Sequence, residues 1–151
     1  MVRAARKRVS SRAMSDSSVQ SDPSVCTVRL EESGPEGFVV SVPHTEYMLR
    51  LHVKGAVHAA VGKRVRGVIS GNAQKFHRAS AGGECIEPVE GHPRIVQGRV
   101  RATDVAGNRV LVQAVVPMWV TPAAGQSASD FHAGDFVNFY MESGVSFAPS
   151  A

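Results

Sequence analysis

From Val25 onward the chain is a series of short apolar runs, many alternating with polar residues and each broken by Gly, Pro or Asn. That texture predicts a mainly β domain, because successive side chains of a strand point to opposite faces. In VCTVRL (25–30), Cys26, Val28 and Leu30 share one face, and Val25, Thr27 and Arg29 share the other. ESGPEG turns the chain, and FVVSV (38–42) returns, giving a hairpin with a loop longer than the tight two-residue type. VGKRVRGVISG (61–71) places Val65, Gly67 and Ile69 together with Lys63 on one side. Arg64, Arg66, Val68 and Ser70 fall on the other side, so one face of this strand is apolar and the other basic. AGGEC (81–85) turns again, ECIEPV (84–89) returns, and GHP (91–93) breaks the run.

The clearest alternation lies further on. In RIVQGRVRATD (94–104), Val96, Gly98, Val100 and Ala102 oppose Ile95, Gln97, Arg99 and Arg101. VAGN (105–108) has hairpin-turn chemistry, and RVLVQAVVPMWV (109–120) reads as one long β-branched strand running back until Pro117. A loop over 121–135 leads to a last strand, FVNFYMES (136–143). HTEYMLRLHVKGAVHAAVG (44–62) leaves strand and short helix both open over 46–53, and its 56–60 stretch reads as helical. KRVRGVISGN (63–72) and GRVRATDVAGN (98–108) look alike, but ten residues rich in Val, Gly and Arg match readily by chance.

The segment from Gly98 through Asp104 to Gly134-Asp135 and FVNFYMES resembles the strand-turn-strand-loop-strand pattern of small OB-like β-barrels. There a glycine opens a bending strand, an aspartate enters a hairpin and a Gly-Asp turn launches the closing strand. The resemblance covers residues 94–143 and implies a small OB-like barrel with at most one short helix. It implies no particular function. Pro117-Met118-Trp119 also invites comparison with the copper- and silver-binding barrels of metal-efflux systems. The second methionine and the strand histidine of that soft site are missing here, and Met118 alone does not select Cu(I).

Charge sharpens the picture once it is divided along the chain. The net charge is +4. Residues 1–13 carry Arg3, Arg6, Lys7, Arg8 and Arg12 and no acid, whereas 14–49 set one arginine against six acids. Arg50, Lys54, Lys63, Arg64, Arg66, Lys75 and Arg78 then follow with no acid between 50 and 78. Residues 110–151 have acids and no Lys or Arg. The basic pI is therefore a property of the first residues. Residues 1–24 are too poor in apolar side chains to fold, so the expected layout is a disordered tail followed by one domain over 25–147. Met14 opens a Ser-rich lead-in and is a second candidate start, and the Arg/Ser-rich beginning also has the composition of a transit peptide. No run of about 18 apolar residues exists to span a membrane. Cys26 and Cys85 sit in no motif and read as small apolar residues, which makes a cytoplasmic location the expectation.

Catalytic chemistry finds no motif. The six histidines lie at no metal-ligand spacing, and neither a nucleophile elbow nor a phosphate loop occurs. No cofactor is expected and the chain does not read as an enzyme. Two binding classes remain. The first is a single-stranded nucleic-acid module using Lys63, Arg64, Arg66, Lys75 and Arg78 as phosphate contacts and Phe76 as a stacking platform, provided that Phe76 and Tyr47 share a face. The second is a protein-interaction module, in which the same charges only solvate a strand.

Overall fold

The computed structural model describes residues 22–35, 37–55 and 59–150, which form strands joined by short connections. In chain order the strands are β1 (Val25–Gly34), β2 (Gly37–Ser41), β3 (Met48–Val53), β4 (Arg64–Arg78), β5 (Cys85–Glu87) and β6 (Glu90–Gly91). They continue with β7 (Ile95–Asp104), β8 (Arg109–Ala114), β9 (Val116–Thr121), β10 (Phe136–Met141) and β11 (Ser146–Pro149). Among the described residues a single 3₁₀ turn, Ala128–Asp130, is capped by the Ser127 side chain. The mainly β expectation holds. No helix among the described residues is long and apolar enough to cross a membrane.

The strands close into two rings that share β4. In the first ring the order is β1–β2–β3–β11–β4, and β4 pairs back onto β1. In the second it is β7–β8–β9–β4–β10, and β10 pairs back onto β7. Within each ring all pairings are antiparallel except one, β3 with β11 in the first and β9 with β4 in the second. The two halves of the chain thus follow one plan and exchange their last strand. β1 to β4 build the first ring up to Ser70, after which β4 crosses over to close the second. β7 to β10 build the second ring, and β11 crosses over to close the first.

Register carries the correspondence down to single residues. Leu30, Val40 and Leu49 line up across β1–β2–β3 as Val100, Val112 and Met118 do across β7–β8–β9. Each half has a bulge at the same place, one residue after Leu30 and one after Val100. Arg29 opposite Arg64 corresponds to Arg99 opposite Phe136. By this register β4 matches β10, not β7, so the likeness between 63–72 and 98–108 is not the repeat the fold contains.

Each ring is filled from its own strands. Val28, Leu30, Val40, Leu49, Leu51 and Phe147 are at most 1% exposed in the first. Val96, Val100, Val112, Met118, Val137 and Phe139 are equally buried in the second. Met118 therefore belongs to the core. Two glycines permit the close approaches that closure requires. A Cβ on Gly67 would lie 2.6 Å from the Ala148 carbonyl oxygen and clash with the edge of the Phe147 ring, and one on Gly98 would lie 2.7 Å from Ala114 Cβ. Cys26 is buried, which pushes its thiol up to about 11, and Cys85 is half-buried; both are free.

Several expectations need correction. The β1–β2 ladder runs to Gly34 opposite Gly37, so the hairpin connection is short, because polar residues 31–34 continue the strand past its apolar stretch. Segment 48–53 is a strand, and residues 59–62 form an irregular turn. The helical reading of 56–60 otherwise falls on 56–58, outside the described residues, as does the tail over 1–21. Residues 109–120 are two strands. Val115, with φ 68, reverses the chain so that Ala114 pairs with Val116. A β-branched residue is strained at that φ. The Val115 N–H is held by the Glu84 carboxylate at 3.0 Å. β11 went unforeseen.

Two outcomes are expected. Phe147→Ala removes the side chain that the second half contributes to the first ring, and a loss of about 3–5 kcal/mol is expected. Because of the exchange, amide protons of both rings should lose protection together in hydrogen exchange. Protection retained in the β7–β9 amides alone would refute that coupling. Val100→Asp should cost several kcal/mol, whereas Arg101→Ala, at an exposed position, should cost about 0.5 kcal/mol or less. Denaturant midpoints read both.

Candidate nucleic-acid interface

The outer face of β1 and β4 gathers exposed positive charge, with Glu31 beside Arg29 and Asp22 close enough to Arg66 to feel its charge. Arg64 lies directly opposite Arg29, and Arg66 opposite Thr27; all four are exposed. Lys63 is exposed just before the strand, and its carbonyl accepts the Leu30 N–H at 2.9 Å. Arg29 has one loose ion pair, to Glu31 at 3.6 Å. Among the described residues neither Arg64 nor Arg66 has a side-chain ion pair or hydrogen bond. Alternation had placed Arg64 and Arg66 outward, with Val65 and Gly67 inward, and the structure agrees.

The rest of the expected set is dispersed. Lys75 is exposed, but near the far end of β4. Phe76 is 3% exposed and packs edge-on against Phe139 with ring centroids 4.5 Å apart, so it cannot stack on a base. The cause is a bulge. β10 pairs Phe139 with Phe76 but Met141 with Ala73, which inserts one extra β4 residue. An extra residue reverses the faces beyond it and turns Phe76 inward. The Gln126 amide then fixes Phe76, accepting from its backbone N–H at 2.9 Å and donating to its carbonyl at 3.0 Å. Tyr47 is half-buried, and its hydroxyl accepts the Ile86 N–H at 3.2 Å. The shared exposed face that the stacking role required does not exist.

Arg78 is committed to structure. Its Nη1 donates to Asp135 Oδ2 at 2.8 Å, its Nη2 donates to the Asp130 carbonyl at 2.9 Å, and its guanidinium lies over the Phe131 ring. The Arg78 hydrogen bond, and after it the His132 backbone N–H, hold the Asp135 carboxyl below its ordinary value of 3.8. Gly134-Asp135 does launch β10, and Asp104 does enter the β7–β8 hairpin. There Asp104 accepts the Gly107 N–H at 3.0 Å and Arg109 Nε at 3.1 Å.

The second half shows what the basic face is not. At the positions matching Arg29 and Arg64 it has Arg99 and Phe136, and the guanidinium sits 4.9 Å from the ring centroid. At those matching Thr27 and Arg66 it has Gln97 and Asn138, joined by a hydrogen bond at 3.3 Å. The same two rungs are satisfied internally in one half; in the other, one sets Arg29 against Arg64 and the second sets Arg66 against Thr27. Arg29, opposite Arg64, was not singled out from the sequence. Its alternation was legible, but its position opposite Arg64 depends on a strand pairing the sequence does not announce.

Among the described residues no three His, Cys, Asp or Glu side chains gather as metal ligands. No protein-family model matches the chain, and neither a curated protein nor a solved structure matches it.

The Asp135–Arg78 clamp predicts an acid limb. A carboxyl whose folded pKa is depressed stabilises the fold above its unfolded pKa, and that contribution disappears as pH falls through the folded value. Asp135→Asn should therefore lower stability at neutral pH and flatten its decline below about pH 4. Parallel acid limbs in variant and parent would show that the clamp contributes nothing.

Proposed function

We propose that the chain is a non-catalytic binding module that holds single-stranded nucleic acid by its phosphates on the outer face of β1 and β4. Arg29, Arg64 and Arg66 carry the reading, with Lys63 beside them. The single observation behind it is the like-charged Arg29–Arg64 rung. Like charges directly opposite on a strand pair are destabilising by roughly 0.2–1 kcal/mol, and a phosphate between them removes the repulsion. The strand order of each ring, with its one parallel pairing, is compatible with an OB-like barrel, an architecture that supports strand binding of this kind. Fold-level likeness is analogy, so the charge arrangement bears the weight. Phosphate contacts fix position and carry no sequence information. The module is accordingly expected to bind with weak sequence preference. Lys75 lies too far along β4 to be counted with the group, and Phe76 and Arg78 have no part in it.

Mobility shift of single-stranded oligonucleotides at increasing salt tests this. Arg64→Ala with Arg66→Ala should weaken binding and lower the slope of log affinity against log salt by roughly 0.7 for each phosphate no longer neutralised. An unchanged slope, or no shift at low salt, would overturn the proposal. A partner protein captured without any oligonucleotide response would favour the protein-interaction class instead.

A further inference from the structure

A trough away from the β1–β4 face combines a basic end with an apolar one. Its first part, about 910 Å³, is lined by Arg50 and His52 from β3, His92 and Arg94 before β7, and Glu142 after β10. The second part, about 560 Å³, is lined by Val89 and Tyr140 among others. The two share Gln74, Arg94 and Met141, so they adjoin. Both volumes fall within the range of about 300–1,000 Å³ usual for small-molecule sites. His52 and His92 lie face to face with ring centroids 6.1 Å apart, and Arg50 and Arg94 are exposed. At the other end, Tyr140 is 56% exposed and Val89 is 47% exposed, two of the four large apolar side chains the described surface leaves open.

The internal correspondence again supplies a control. The position matching Arg50 is Trp119, whose ring is covered by the Arg109 guanidinium at 4.2 Å. The position matching Arg109 is Gly37, which has no side chain to lay over Arg50. Where the second half fills its outer surface with a stacked pair, the first half leaves an open basic trough.

We propose that this trough binds a nucleotide, with the phosphate held by Arg50 and Arg94 and the base stacked on Tyr140. Two guanidiniums supply bidentate donors suited to phosphate, and the imidazoles add ring N–H donors. An exposed tyrosine ring is a stacking platform for any base, an interaction that adds roughly tenfold or more in affinity. Gln74, lining both parts, offers an amide between the two ends. Glu142 at the basic end opposes the phosphate, which makes it a diagnostic position. The proposal does not rest on the β1–β4 reading, because it uses none of the same residues.

Calorimetric titration of the whole chain with adenosine 5′-monophosphate, adenosine and inorganic phosphate at one ionic strength tests it. The nucleotide should bind one to one and at least tenfold more tightly than either fragment. Arg94→Ala and Tyr140→Ala should each weaken it tenfold or more, Tyr140→Phe should retain it, and Glu142→Gln should tighten it a few-fold. Arg64→Ala with Arg66→Ala should leave it unchanged, which separates this site from the oligonucleotide face. Nucleotide binding no tighter than inorganic phosphate overturns the proposal, as does insensitivity to Arg94 and Tyr140. An apolar peptide that occupies the Tyr140 end while the nucleotide does not bind also overturns it, in favour of a protein partner.

Discussion

The whole structure hangs on one strand that belongs to two rings. β4 pairs with β1 and β11 through its first residues and with β9 and β10 through its last, and its crossing point is Ile69 and Ser70. Ile69 pairs with Phe147 in one ring and with Met118 in the other, and all three are fully buried. Neither ring closes without a strand from the other half of the chain. Closure removes the free edges along which small sheets pair with neighbouring chains. The exchange achieves it twice in one chain, and at the crossing a Cβ on Gly71 would lie 2.6 Å from Met141 Cε.

What the sequence made legible follows from this division between local pattern and long-range pairing. Alternation is local, and it correctly separated Val65 and Gly67 from Arg64 and Arg66, and Val96 and Val100 from Arg99 and Arg101. Turn chemistry is local too, as at Asn108, whose φ of 54 closes the hairpin after Asp104. Departures arose where a tertiary contact overrides the local signal. Val115 breaks an uninterrupted β-branched run because Glu84, from a distant turn, holds its N–H. Phe76 turns inward because β10 imposes a bulge. β11 is four residues ending in proline, too short to read as a strand without the edge it fills. The candidate site was read in the same proportion. Arg64 and Arg66 lie exposed on the expected face, Arg29 opposite Arg64 was not singled out, and Phe76 and Arg78 are held in structural contacts.

The correspondence between halves also separates what the fold needs from what it tolerates. Many inward positions agree in character, as with Leu30 and Val100, Val40 and Val112, or Val65 and Val137, although Gly67 matches Phe139 and Val28 matches Gly98. Outward positions diverge. An arginine over a phenylalanine in one half faces another arginine in the other, and a capped tryptophan becomes an open arginine. Closing the rings does not dictate these choices, because each is met differently on the same backbone register. The charge on the first half is therefore not dictated by ring closure, and its facing arginines carry a small electrostatic cost.

The size of that cost limits what the β1–β4 face can do. Exposed charges in water interact by about 1 kcal/mol at 4 Å, and salt screens them within a Debye length of about 8 Å at physiological ionic strength. Arg29, Arg64 and Arg66 are all exposed, and no aromatic side chain stands on the strand positions beside them. In the proposed reading, three such charges confer salt-sensitive, sequence-tolerant attraction rather than tight recognition. Discrimination between bases requires a desolvated platform or hydrogen bonds to base edges. The face offers neither, whereas the trough elsewhere on the fold has the Gln74 amide and the exposed ring of Tyr140. In the proposed readings the two surfaces have different tasks, retention of a charged backbone on one and binding of a planar group on the other.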